Sequence, residues 1–395
     1  MASQSFRHLW VGQALANMGD IFYVVALISL IDHVTGSPLY LTIVPLVITS
    51  SRFLSSVMVP LLLNRTQLKW LIAYSQLVKT MLLVLMFSLV VLSLGNGWIY
   101  LGVAGLISFM DGWALPARNA YVPFIVKREE LLGANGFLST VDQTIQFSSW
   151  AVGGLLVAAL NESILLALVI LLFLISTYYM LRLPVIPRTT LQQKRHWWEQ
   201  FGEGWSEVGK NKSLRNLFVI YAIESAAGAV WIAAVLYLYV DLILNRSEAW
   251  WGFINSSFFI GLVLASYLIY RMHGYFSSKR SGWLPVCMLM TSIATFIFAW
   301  NSSALFALIL SLVFGFFDQI KTIILQTFLQ ETVTAGEIGK VYAAQGALTT
   351  LIFGLSSVGV GLLMEVTSVE TVFTLSASLL GLTLFPVYKI RKVLS

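Results

Sequence analysis

The sequence predicts an all-α membrane protein with twelve transmembrane helices arranged as two parallel six-helix bundles. Three observations carry that prediction. Hydrophobic residues make up 58% of the 395 residues and charged residues 11%, with a mean hydropathy of +0.83. Soluble domains carry roughly 25% charge, so this much apolar surface must face hydrocarbon. Apolar runs of about 20 residues, the length that spans a bilayer, recur along the chain. The chain also repeats itself at a fixed spacing, which sets how those runs are grouped.

Taken in order, the apolar runs lie at 8–32, 38–63, 70–94, 98–119, 137–160 and 163–183, then at 215–240, 250–271, 282–300, 303–326, 342–364 and 370–388. Connections are short except for 184–214, which separates six spans from six. The expected organisation is an N-terminal bundle over 1–183, a cytoplasmic linker over 184–214 and a C-terminal bundle over 215–395. Residues 116–123, with a proline at each end, read as the cytoplasmic exit of the fourth span.

The basic residues in the loops and at the span ends set the expected orientation. With the N-terminus inside, Arg7, Arg65, Lys69, Arg118, Lys127, Arg128, Arg182, Arg271, Lys279, Arg280, Lys340 and the tail Lys389, Arg391 and Lys392 fall on the cytoplasmic side. Only Arg246 falls on the other. That asymmetry follows the positive-inside rule and puts both termini in the cytoplasm. In the linker, Trp197, Phe201 and Trp205 recur every four residues beside Trp198 and Val208, while Lys194, Arg195, Glu199 and Glu203 are polar. An interfacial helix on the inner leaflet has this pattern.

The repeat rests on three matches. "RHLWV" at 7–11 corresponds to "RNLFV" at 215–219, and "SSWAVGGLL" at 148–156 to "SSVGVGLLM" at 356–364, both 208 residues apart. "FMD" at 109–111 corresponds to "FFD" at 316–318, 207 apart. Six spans separate the copies, so both have the same orientation. Transporters built from such parallel repeats bind substrate near the midplane, between the halves.

Other classes are set aside by what the chain lacks. The net charge of +6 follows topology rather than forming a patch, so nucleic acid is not an expected partner. The single cysteine, Cys287, excludes an intramolecular disulfide. There is no G-x-x-x-x-G-K-[ST], H-E-x-x-H or G-x-S-x-G, and His8, His33, His196 and His273 all lie away from mid-span. An ATP-driven pump, an enzyme and a metal centre are therefore not expected. The expected partners are a small-molecule substrate, protons and the lipid bilayer, with no cofactor.

Longer stretches carry a family resemblance. "FRHLWVGQALANMGDIFYVVAL" with "VTGSPLYL", then "PARNAYVPFIVKREELLGANGFL", then "WWEQFGEGWSEVGKNKSLRNL" resemble the major facilitator superfamily. They are most similar to its drug and siderophore efflux branch, which includes macrolide efflux proteins and enterobactin exporters. The resemblance implies a monomeric secondary transporter of a bacterial inner membrane. It would export a drug-like compound or metallophore by alternating access in exchange for protons; a metallophore-specific exporter, an importer and a lipid flippase share the same fold. Two positions depart from the family pattern. Asn64 stands where the loop between the second and third helices usually has Asp, and Ala151 replaces the proline of the fifth-helix antiporter motif.

Charges inside the spans are the sharpest site signal, because an intramembrane ionisable group is expensive. Asp20 lies roughly 12 residues into the first span, about 17 Å deep at 1.5 Å per residue. Asp111 and Asp318 are repeat counterparts. A carboxyl withdrawn from water holds a proton more readily. Asp20, Asp111 and Glu224, with no opposite charge beside them in sequence, are therefore the proton-coupling candidates. Asp318 and Lys321 are spaced i,i+3 and can neutralise one another. Arg52 and Lys79 are left either as partners for Asp111 or as a surface for an anionic group. Further cavity candidates at similar depth are Asn17, Tyr23, Trp113, Gln143 and Gln146 in the first half. The second half offers Tyr221, Ser225, Trp231, Gln319 and Gln345, although an aromatic residue here equally suits packing. Asn64, Arg65, Lys69, Arg118 and Asp142 are the gating candidates.

Overall fold

The computed structural model describes residues 3–186, 197–231, 233–247, 249–334 and 336–394. Every regular element among them is helical, and no strand is present. The first six helices are α1 (Gln4–Thr35), α2 (Pro38–Arg65), α3 (Leu68–Val91), α4 (Gly97–Ile125), α5 (Leu131–Ala159) and α6 (Glu162–Leu181). The linker contains α7 (Trp197–Lys210). The second set is α8 (Lys212–Gly228), α9 (Ala233–Leu242), α10 (Ala249–Arg271), α11 (His273–Ala299), α12 (Ala304–Thr332), α13 (Ile338–Val366), α14 (Val369–Leu382) and α15 (Leu384–Leu394). Among the described residues, nine helices are long and apolar enough to cross a bilayer, or ten if α8 and α9 form one bent span. The other two expected spans coincide with α2 and α5, of 28 and 29 residues.

Local chemistry sets the helix ends. Ser3 accepts a hydrogen bond from the Phe6 amide at the start of α1, and Gly36 closes that helix with φ at 56°. That backbone conformation is open to glycine at no steric cost. Asn96, Asn161, Asn211, Ser303 and Ser368 cap α4, α6, α8, α12 and α14 in the same way, each satisfying otherwise unpaired amides.

Several boundaries differ from the sequence expectation. The supposed exit at 116–123 is helix, with Pro116 and Pro123 inside α4. Each proline removes one ladder bond, yet Ala117, Ala120, Tyr121 and Val122 are fully buried and hold the helix together. Tyr121 also donates to the Pro184 carbonyl at 2.7 Å. α11 begins nine residues before the apolar run, and α12 ends six residues after it. Hydropathy marks the hydrocarbon, and a helix need not stop where the hydrocarbon does. The span expected at 215–240 is broken: Ala229–Trp231 forms a 3-10 turn. Ser376 donates to the Ala227 carbonyl at 2.8 Å beside the break, the kind of side-chain rescue a membrane helix needs where its ladder fails.

The described chain falls into two compact units. The first is Met1–Lys127, Thr144–Trp205 and Thr334–Ala344; the second is Arg128–Gln143, Ser206–Val333 and Gln345–Ser395. Three of the five boundaries lie inside α5, α7 and α13, and the other two in the connections after α4 and α12. In the first unit α1 packs on α6, α2 on α4, and α3 on both α4 and α6. The second unit repeats this scheme, with α8 on α14 and α15, α10 on α12, and α11 on both α12 and α14. The first core is aliphatic with Phe22, Tyr100 and Phe173. The second is more aromatic, around Tyr239, Phe298 and Phe373. Large apolar side chains such as Leu155 and Val366 point outward, at 71% and 79% exposure, as a lipid-facing surface requires.

Glycines bring the paired helices close, as is common in membrane bundles. A side chain at Gly112 would meet the Arg52 carbonyl and Ser55, locking α4 against α2 beside two of the buried charges. A side chain at Gly261 or Gly315 would likewise run into the backbone of the opposing helix, α12 or α10. Ser257 and Ser311 hydrogen-bond across that same pair at 2.6 and 2.9 Å.

Candidate functional site

Four helices of the first unit converge on one charged cluster. Lys79 of α3 is 1% exposed, and its Nζ lies 2.6 Å from Asp20 Oδ1 on α1. The same ammonium binds Asp111 Oδ1 on α4, and Arg52 of α2 reaches Asp111 Oδ2 at 3.0 Å. Below Lys79, the Phe173 ring of α6 stands 4.9 Å away. A side chain at Gly19 would occupy that ring's place. The Lys79 stem is thus fixed by packing and its head by two carboxylates. Asp20 and Asp111, with no opposite charge beside them in sequence, thus find their partners on other helices. Of the two bases left open for Asp111, both bind it.

The second unit holds a smaller cluster. Lys321 of α12 lies 2.7 Å from Glu224 Oε1 on α8 and 2.8 Å from Asp318 Oδ1 one turn back. The i,i+3 pair expected from sequence is present. Glu224, with no opposite charge beside it in sequence, completes it from α8.

The remaining candidates do not form a single group. Asn17 accepts from Gln13 at 2.7 Å on its own helix. Tyr23 is buried in the first core, and the Tyr23 hydroxyl, the Trp113 indole N–H and Gln143 Oε1 are buried with no hydrogen-bond partner among the described residues. Gln146 is exposed, Ser225 and Gln345 are half-buried, and Gln319 is buried. Tyr221 packs edge-on to Phe218. Trp231 stacks on Phe314 with ring centres 4.4 Å apart and also meets Phe298 and Phe373. The Trp231 ring thus packs against an aromatic core, the alternative already open for an aromatic at this depth. Arg118, read as a cytoplasmic marker, is buried. Asp142 is half-buried, and Lys69 lies over the Trp70 ring at 4.7 Å. The side chains of Asn64 and Arg65 lie outside the described residues, as do those of Trp197, Trp198, Glu199 and Phe201, with Lys194, Arg195 and His196.

Two further polar groups escaped the sequence reading. In the second unit, Asn135 at the start of α5 donates to Thr327 Oγ1 at 2.8 Å and to Gln330 Oε1 at 2.7 Å on α12. Beside it Arg280 binds Glu331 at 2.5 Å. The signal was an amide flanked by Gly133, Ala134 and Gly136, small enough for a close helix approach. Asn135→Leu should cost about 1–3 kcal/mol, seen as a lower Tm in detergent; an unchanged Tm would show that the pair contributes nothing. In the first unit, Lys340 of α13 lies between Glu203 of α7 at 2.6 Å and Glu337 at 3.0 Å. Glu203, expected on a solvated face, is instead largely covered, and Gly204 abuts the Lys340 carbonyl. Among the described residues no cluster of His, Cys, Asp and Glu is arranged to hold a metal.

Repeated helical bundles with charged clusters inside their spans are the arrangement expected of a membrane transporter. The family described as MFS/sugar transport protein matches residues 153–383, more than half of the chain, and the chain belongs to the major facilitator superfamily of transporters. The uncharacterized MFS-type transporter YfmI of Bacillus subtilis (strain 168) is 29% identical over 384 residues, covering 96% of this chain and 94% of its own. The human organic anion transporter MFSD10 (TETRAN) superposes with a TM-score of 0.77 at 12% identity, over 97% of this chain and 98% of that one. A bacterial homologue of the iron transporter ferroportin, in its outward-facing state, gives 0.75 at 16% identity over 98% and 99%. At those identities the two structures establish a shared fold.

Proposed function

We propose that the protein is a proton-coupled exporter of an amphipathic small molecule, drug-like or a siderophore-type metallophore, working by alternating access. In this reading it is a monomer of the bacterial inner membrane with both termini cytoplasmic, and Asn64, Arg65, Lys69, Arg118 and Asp142 serve its gate. The observation that carries the reading is Arg52. Its side chain is 48% exposed while bound to Asp111, so one edge of the guanidinium stays open to an anionic group. Arg presents several donors in a fixed fork that suits carboxylates. A carboxylate-bearing chelator fits this edge better than a cationic dye.

Purified protein in proteoliposomes with an imposed pH gradient tests the reading across drugs and metal-chelating metabolites. For one-for-one exchange, one pH unit supports roughly tenfold accumulation. A carboxylate chelator is expected to move fastest, and to move outward in the physiological sense. If no compound moves faster with the gradient than without it, proton-coupled export is wrong. Substrate uptake in the opposite sense would favour an importer, and movement of labelled lipid a flippase.

A further inference from the structure

The two buried clusters differ by one charge. In the first unit two carboxylates, Asp20 and Asp111, share two bases, Lys79 and Arg52, so the ionised set sums to zero. In the second unit Glu224 and Asp318 share Lys321 alone. Fully ionised, that set carries one surplus negative charge.

The repeat shows how the difference is encoded. The positions that supply the two bases of the first bundle, Lys79 and Arg52, correspond at the 208-residue spacing to Cys287 and Ile260. Asp111 keeps its counterpart in Asp318. The second bundle has recovered one base, Lys321, but not two. Among the described residues no second base pairs with this set, and the bases of α8 itself, Lys212 and Arg215, lie in its first turn. α10 carries no acid or base before Arg271 at its end, and the charged groups of α11, His273, Lys279 and Arg280, lie in its first turns. α14 carries only Glu370, in its first turn, and α15 has Lys389, Arg391 and Lys392 near its C-terminal end. The thiol of Cys287 is fully buried and uncharged in its ordinary form.

An uncompensated charge in low dielectric is costly. One proton on either Glu224 or Asp318 removes it, whereas a proton added to the first cluster would create a surplus. We propose that Glu224 and Asp318 share a single exchangeable proton above Lys321, and that the Asp20–Lys79–Asp111–Arg52 cluster binds none. This assigns the coupling ion to the second bundle, and it rests on the proton-coupled reading above.

Infrared difference spectroscopy of the full chain in lipid nanodiscs, between buffers on either side of neutrality, tests this without a substrate. A protonated carboxyl has a C=O band separate from that of ionised carboxylates. The wild type should show a band that titrates. Glu224→Gln and Asp318→Asn should each abolish it, because the acid that remains is balanced one-for-one by Lys321. Asp20→Asn and Asp111→Asn should leave it in place. Either of the first pair suffices if the other does not fold. The assignment is overturned if the band survives in both, if it disappears with Asp20→Asn, or if the wild type has none. Gradient-driven transport with no such band would refute the site and leave the exporter reading standing. A band with the expected mutant pattern but no gradient-driven transport would uphold the site and refute the coupling.

Discussion

Lys79→Met is expected to destabilise the protein by about 3–5 kcal/mol at neutral pH, the cost of leaving buried charges without their partner. Two carboxylates, Asp20 and Asp111, hang on this one ammonium. Only Asp111 has a second base, Arg52. The variant therefore carries a stranded acid and a surplus negative charge. Its folded state gains by taking up a proton that the unfolded chain does not need, so stability should rise as the pH falls. Tm measured against pH should show a large deficit at neutrality that narrows in acid. Adding Asp20→Asn to Lys79→Met removes the stranded acid and should recover much of the loss at neutral pH. A Lys79→Met protein as stable as wild type would mean that the cluster is solvated and weak.

The second large effect is steric. Gly261→Val places a branched side chain against the backbone of Leu312 and Phe316, which cannot retreat as a flexible side chain could. α10 must then move off α12, and the bonds from Ser257 and Ser311 across the pair stretch with it. Overpacking of this kind typically costs 1–3 kcal/mol, occasionally more; with backbone as the obstacle, the upper end of that range or beyond is expected. Poor accumulation in the membrane and a lowered Tm are the readouts. Gly359→Ala, which meets nothing within 4 Å, serves as the control and should be tolerated. Equal behaviour of the two variants would show that the helices are not held as closely as described.

What the sequence reading could reach depended on whether the information was local. The spans followed from hydropathy, the repeat from direct matches, and the Asp318–Lys321 pair from its spacing on one helix. The other partners are set by helix rotation and neighbour choice. Lys79 stands 59 residues from Asp20 and 32 from Asp111, so no local pattern could join them. Arg118 was placed by its position near a span end, yet α4 continues past it and buries it. Trp231 resembled a cavity aromatic because depth alone was known; its stacking on Phe314 shows which way it faces. Glu203 fitted a solvated helix face, and only Lys340, more than a hundred residues on, shows that it is covered.

Pro116 has a mechanical consequence. With no N–H to return to the carbonyl of Gly112, it leaves one stitch of the α4 ladder open just past Asp111. That turn is also where Gly112, lacking a side chain, seats the helix against the Arg52 carbonyl. A clamp and a loosened joint thus share the same turn. Beyond Pro116 α4 is held by the packing of Ala117, Ala120, Tyr121 and Val122 rather than by that bond. Before it Asp111 is pinned to Lys79 and Arg52, so the missing bond lies between two separately anchored stretches.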